Sequence, residues 1–263
     1  MKMRIVALLL IVAALQDHRV TAVGYPLDMA LNSVDDQYKG CTKKMADLVK
    51  TKYLPKELNN SKSFKEAWKV AERSFKKPEN NLTNNHSIAI YLYTGLKLFR
   101  DFNNATHHGR QNYTNEKYDW YSLHFLLTEA LQILKTAQNR CFDTFRGTKS
   151  EYELLNNTVR FGSFASSSYI RNKAMFFGSV SCFEIQTCAG ADITDYSMLD
   201  PEKEVLIPPY ETFRVTETKT RKKQKDLWCN TVYVLNSTGT RSDLNCALCR
   251  RPNKIEKKHY ILL

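Results

Sequence analysis

The feature that most constrains this chain is a change of hydrophobic period at Cys141. Across 37–138 the apolar residues fall on four stripes: Met45, Leu48 and Val49; Phe64, Trp68, Ala71 and Phe75; Ile88, Leu92, Leu96 and Phe99; and Leu123, Leu126, Leu127, Ala130, Leu131 and Leu134. Spacings of three and four put each set on one helix face. Across 141–249 the apolar residues come instead in short runs rich in Phe, Val, Ile, Ser and Thr, such as "TVRFGSFASSS", "MFFGSVSCFEIQT" and "LWCNTVYVL". That is the texture of strands. No linker rich in Gly, Pro or Ser separates the halves and no repeat recurs, so the expected fold is a single α+β domain, a helical layer on a β-sheet core. The polar, Asn-rich stretches "KKPENNLTNN" and "DFNNATHHGRQNYTNEK" read as exposed turns.

The two ends read differently from the body. A basic start, Met1 to Arg4, followed by the apolar run Ile5 to Leu15, predicts a secretory signal peptide over 1–22, with the domain occupying 23–263. Sequons at Asn59, Asn81, Asn85, Asn104, Asn112, Asn156 and Asn236 and a total of 7 cysteines fit the same oxidising export route. The hydrophobic end Ile261-Leu262-Leu263 is too short for a glycolipid anchor signal, so a soluble, secreted or granule-stored monomer is expected. The net charge of +12 concentrates at Arg221-Lys222-Lys223-Gln224-Lys225 and in the tail over 250–263, where anionic glycan is a candidate partner. No base-stacking aromatic pattern accompanies these runs, which argues against specific nucleic acid. His107-His108 and Cys246-x-x-Cys249 lack the companions of a metal site.

Three separated motifs carry chemistry: Arg146-Gly147 in "FDTFRG", Ser166 and Ser168 in "FASSS", and Glu202 and Glu204 in "EKEVLIPPYETF". In extended chain, residues two apart share a face, so Glu202 and Glu204 are expected to present two carboxylates together while Lys203 points away. Arg, then Ser-x-Ser, then Glu-x-Glu is the order found in arginine-specific mono-ADP-ribosyltransferases. With "DDQYKGC", "YTG", "VRFGSF", "TCAGADI" and "VLIPPYETF" in sequence, the chain resembles the vertebrate ecto-ADP-ribosyltransferases over nearly all of its mature length.

The resemblance implies NAD as co-substrate, arginine-bearing proteins as acceptors and no metal. Breaking the bond from ribose to nicotinamide spreads positive charge over the sugar, and a carboxylate beside it stabilises that charge. By the match Glu204 has this role and Glu202 orients and activates the acceptor guanidinium. Arg146 pairs with the NAD phosphates or ribose, Gly147 brings its backbone to the nicotinamide amide, Ser166 orients Glu204, and Phe176 stacks on nicotinamide. Tyr93 and Arg160 are further cofactor-binding candidates. The family pairs Cys41 with Cys246 and Cys141 with Cys188. Cys182, Cys229 and Cys249 are left over, with a bond between Cys229 and Cys249 one open pairing. The segment "AGADITDYSMLDP" is expected to be an acceptor-facing loop, in which Asp192, Asp195 and Asp200 attract basic targets and Tyr196 flanks the guanidinium. Two rival readings use the same scaffold: an NAD glycohydrolase, and a non-catalytic secreted glycan-binding protein.

Overall fold

The computed structural model describes residues 24–95, 98–199 and 203–249. The expected signal peptide, the basic tail, Leu96, Asp200 and Glu202 lie outside the described residues. After a short strand β1 (Tyr25–Leu27) come α1 (Thr42–Leu48), a π-helical turn (Val49–Tyr53) and α2 (Leu54–Asn60). Then follow α3 (Lys62–Ser74), α4 (Asn84–Thr94), α5 (Phe99–His108), α6 (Arg110–Thr114) and α7 (Tyr121–Gln138). Local chemistry sets the ends. The Ser61 hydroxyl accepts from Phe64 N at α3, and Thr83 and His86 cap each other reciprocally at α4. Asn139, left-handed at φ 42°, closes α7. α7 is the axis of the layer: Leu123, Phe125, Leu126, Leu127, Ala130, Leu131 and Leu134 are all buried.

The stretch "DFNNATHHGRQNYTNEK" is not the exposed turn its composition suggests. It lies in α5, α6 and their flanks, and buries Phe102, Thr106 and Tyr113. The Thr106 hydroxyl bonds Phe102 O at 2.8 Å and meets the Tyr118 hydroxyl at 2.8 Å, so a polar residue is satisfied inside the core. The third apolar stripe likewise divides between two helices, because α4 ends at Gly95 and Phe99 opens α5.

The second half supplies β2 (Phe142–Thr148), β3 (Tyr152–Leu154), β4 (Thr158–Val159), β5 (Ala165–Ser168), α8 (Arg171–Met175), β6 (Ser181–Thr187), β7 (Ala191–Asp192), β8 (Glu204–Ile207), β9 (Glu211–Thr220) and β10 (Thr231–Thr240). The main sheet has the order β4-β9-β10-β6-β2-β5-β8-β7, and β1 pairs with β3 apart from it. β10 runs parallel to β6, while its neighbour β9 is antiparallel, so the sheet is mixed. One core lies among the helices and reaches Ile193, Tyr196 and Leu206. Another lies between the main sheet and β1/β3, around Phe183 and Phe213.

Buried polar groups join the segments after β1 and after β10 to both layers. Asp35 accepts Arg160 Nη1 at 2.7 Å, with side-chain exposures of 1% and 0%, and also the backbone amides of Asp243 and Leu244. Asp36 accepts from Tyr38 N, Cys246 N and the Tyr113 hydroxyl. Burial pushes the Asp36 carboxyl up to about 6, and these hydrogen bonds act against the rise. His124, in α7, is pushed down to about 4 by burial. Its Nε2 therefore donates to Val34 O and its Nδ1 accepts from the Tyr38 hydroxyl.

Disulfides join Cys41 to Cys246, Cys141 to Cys188 and Cys182 to Cys229, leaving Cys249 as the free cysteine. A bond between Cys229 and Cys249 is thus excluded. The parallel register sets Val232 beside Cys182, so Cys229, just before β10, comes within bonding reach of Cys182.

Arg160, expected among the cofactor-binding candidates, is buried and bonded within the protein. Its guanidinium also donates to Met29 O, Ala30 O and Arg241 O, so its donors are spent inside the protein. Removing one partner of such a pair leaves a buried, uncompensated carboxylate. Arg160→Ala is expected to lower the unfolding free energy by about 3–5 kcal/mol in chemical denaturation, with the KM for NAD unchanged while the variant is folded.

Candidate active site

The sheet is weakest where β2 meets β5. β2 pairs with β6 along its whole length and β5 with β8 along its own, yet β2 and β5 share the single pair Phe145↔Ser168. Beyond it the Arg146 side chain spans the gap, Nη1 donating to Ser166 O at 2.6 Å. A carbonyl that lost its strand partner is satisfied by a guanidinium instead. Ser166 is half-buried and stands opposite Leu206, while Ser168 stands opposite Glu204. The Glu204 carboxylate opens β8 at 3% exposure. Ser167 turns the other way and donates to Val205 O at 2.9 Å. The Ser168 hydroxyl accepts from Ile170 N at 3.0 Å.

Tyr93, expected at the cofactor, stands behind the site. It is 3% exposed, donates to Phe164 O at 3.1 Å and accepts from Asn103 Nδ2 at 3.2 Å. Burial pushes its hydroxyl up to about 12; the Glu204 charge adds to the rise, while hydrogen bonds from Asn103 and Ser166 and the charge of Arg146 oppose it. Residues from three different strands, Arg146, Ser166 and Glu204, thus influence one neutral phenol supplied by α4.

The link from β7 to β8 departs from expectation in two ways. Tyr196 is 4% exposed, lies in the helical core and accepts from Asn80 Nδ2, so it cannot flank an incoming guanidinium. Its burial follows from the turn at Ile193, whose carbonyl accepts from both Tyr196 N and Ser197 N. Asp192 belongs to β7 and accepts from the Tyr169 hydroxyl at 3.2 Å, whereas Asp195 is exposed. Lys203 has φ 50°, and β8 begins only at Glu204. The alternation that was expected to align Glu202 with Glu204 presumed extended chain at Lys203, and that chain is left-handed there.

Near α8, Gly147 cannot carry a side chain, since a Cβ would meet Ala174 O and Gly178 O at 2.3 Å. Its closest neighbours are therefore the protein's own backbone. Phe176, just after α8, is 80% exposed and Phe177 49%. Ordinary core phenylalanines are not left this open. Two groups escaped the reading of the sequence. Ser197, 0% exposed, donates to Glu204 Oε2 at 3.3 Å. Glu211 is buried, its pKa raised by that burial, and accepts from Thr187, Cys188 N, Ala189 N and Ser237, fixing the turn beside the Cys141–Cys188 bond. Both sat in plain view in "YSMLDP" and "PPYETF", but only the tertiary contacts distinguish them from other polar residues. Among the described residues no group of three or more His, Cys, Asp or Glu could hold a metal ion.

A family model described as NAD:arginine ADP-ribosyltransferase matches residues 27–235. The chain is 34% identical over 250 residues to NAD(P)(+)--arginine ADP-ribosyltransferase 2 of Gallus gallus, covering 90% of this chain and 78% of the relative. It is 36% identical over 241 residues to GPI-linked NAD(P)(+)--arginine ADP-ribosyltransferase 1 of Mus musculus, covering 84% and 72%. Its fold matches the crystal structure of the eucaryotic mono-ADP-ribosyltransferase ART2.2 with a TM-score of 0.71 at 30% identity, covering 84% of this chain and 98% of that one. Mutants of that enzyme have been solved with NADH and with NAD. On sequence and fold together, the chain belongs to the NAD:arginine ADP-ribosyltransferase family.

Proposed function

We propose that this chain moves ADP-ribose from NAD to arginine side chains of proteins, with release of nicotinamide, and that the opening between β2 and β5 is where it does so. The observation that carries the reading is the placement of Arg146, Ser166 and Glu204 on the three strands around the opening, with Arg146 Nη1 on Ser166 O at 2.6 Å and Glu204 buried at the start of β8. Among the described residues the Arg146 side chain donates to Ser166 O alone, so the rest of its fork is available to NAD phosphate or ribose oxygens. The exposed Phe176 offers a face for nicotinamide, on a segment whose approach to the sheet requires Gly147.

As the bond to nicotinamide lengthens, positive charge grows on the ribose. Glu204, fixed in a site of low exposure, supplies a carboxylate for that charge without reorganisation. The acceptor guanidinium is protonated in water and attacks only after losing a proton. Glu202 is assigned to that step. Water in the acceptor's place would give NAD hydrolysis.

An extracellular, monomeric form is part of the same reading. All seven sequon asparagines are exposed, three disulfides are formed, and among the described residues no helix is long and apolar enough to cross a membrane. Lys222, Lys223 and Lys225 are exposed on the turn between β9 and β10, where a sulfated glycan would meet them. Replacing these three lysines with alanine is expected to bring elution from a heparin column to lower salt, without changing turnover. Unchanged elution would remove this turn as the contact.

Glu204→Gln is expected to lower both transfer and NAD hydrolysis by about a hundred-fold or more, with NAD binding largely kept, because charge is removed only where the transition state needs it. Near-normal turnover by the folded variant would sink the assignment. Glu202→Gln is expected to suppress arginine modification about ten-fold more than NAD hydrolysis, since water requires no guanidinium-orienting acid. Equal loss of the two activities in side-by-side assays would contradict the division of roles.

A further inference from the structure

We infer that Ser197 is a positioning residue for Glu204, holding one carboxylate oxygen in place and keeping the group ionised where water has little access. The inference rests on the reading of Glu204 as the catalytic carboxylate. Its first support is the polarity of the hydrogen bonds. Leu199 N lies 3.0 Å from Ser197 Oγ, and a backbone N–H can only donate, so the serine oxygen accepts there. Its single proton is left for Glu204 Oε2 at 3.3 Å. The contact is therefore hydroxyl to carboxylate, which favours the charged form of the acid.

The second support is how firmly the serine is held. On one side Tyr196 is anchored in the helical core, and the Ile193 carbonyl accepts from both Tyr196 N and Ser197 N at 2.9 Å. On the other, Met198 N donates to Thr94 Oγ1 at 2.9 Å, and that hydroxyl bonds Ile90 O at the end of α4. Ile193 N in turn donates to Glu204 O at 3.0 Å, so the turn carrying the serine and the strand carrying the acid are tied at the backbone too. A serine at 0% exposure needs a partner for its hydroxyl, and here the partner is the carboxylate itself.

The placement also explains a division of labour. Ser166 approaches from the β5 side, near Tyr93, and Ser197 comes from the β7 side and donates to Oε2. Among the described residues the charged or titratable groups near Glu204 include Tyr93 on α4, Asp192 on β7 and Lys203 beside it in the chain, with Arg146 on β2 close to Tyr93 and Glu202 outside the described residues. Replacing Ser197 leaves all of them in place. A change in the titration of activity then reports the lost hydroxyl.

The test compares pH–rate profiles of the full chain and Ser197→Ala, using NAD hydrolysis and transfer to agmatine. Loss of the donor raises the pKa of the acid, so the acidic limb of kcat is expected to move to higher pH by about 0.5 to 1 unit. Below the limb, kcat should fall about three- to ten-fold for both acceptors with the KM for NAD nearly unchanged. If Ser197→Ala does not fold, Ser197→Cys, similar in size but a far weaker donor, is expected to show a smaller shift in the same direction. An unshifted limb in a folded variant, even with a lowered melting temperature, would show that the serine only fills space and overturn the inference. In that outcome a dead Glu204→Gln enzyme still upholds the catalytic reading, whereas an active one removes the reading and the inference together.

Discussion

The rest of the structure depends on a sheet that comes apart at one place. Five strands on one side and three on the other are joined through a single residue pair, Phe145↔Ser168. Backbone groups left by parting strands must find other partners, and here Arg146 reaches across to the Ser166 carbonyl. Behind the gap α4 supplies Tyr93, and on the far side the β7–β8 link supplies Ser197. The opening is therefore backed by buried side chains from both halves of the sheet and from the helical layer, and a small displacement of any of these would misplace Glu204.

Two arginines show how context separates stability from chemistry. Arg160 donates to Asp35 and to three backbone carbonyls, at full burial, and fastens the segment after β1 to the residues just after β10. Arg146 is half-buried at the opening. The same fork of donors is used up where protein acceptors surround it and left open at the proposed site where they do not. Asp35 and Asp36, adjacent in "DDQYKGC", divide similarly: one takes the arginine, the other takes Tyr113 and the amide of Cys246 beside the Cys41–Cys246 bond.

Periodicity made the layers legible, because the stripes through Trp68 and Leu127 and the runs around Phe183 and Val232 carry their burial in their spacing. The order of Arg146, Ser166 and Glu204 was legible as a motif. What escaped was set by contacts between residues far apart in sequence. Arg160 looked like a candidate ligand until Asp35, 125 positions away, occupied it. Tyr196 looked like a loop aromatic until the turn at Ile193 folded it into the core. The Cys182–Cys229 bond follows from a parallel pairing of β6 with β10, which no local pattern announces. In "DFNNATHHGR" the asparagines, weak helix formers, concealed a helix whose buried side is only Phe102 and Thr106.

The most direct test of the central claim is to supply the enzyme with NAD labelled in its adenine moiety together with excess agmatine, and to separate the products. If the opening between β2 and β5 is a site for NAD and an arginine acceptor, the label appears chiefly as ADP-ribosyl-agmatine, with nicotinamide released in equal amount. Label appearing only as free ADP-ribose, or remaining entirely in NAD with correctly folded protein, would contradict the account.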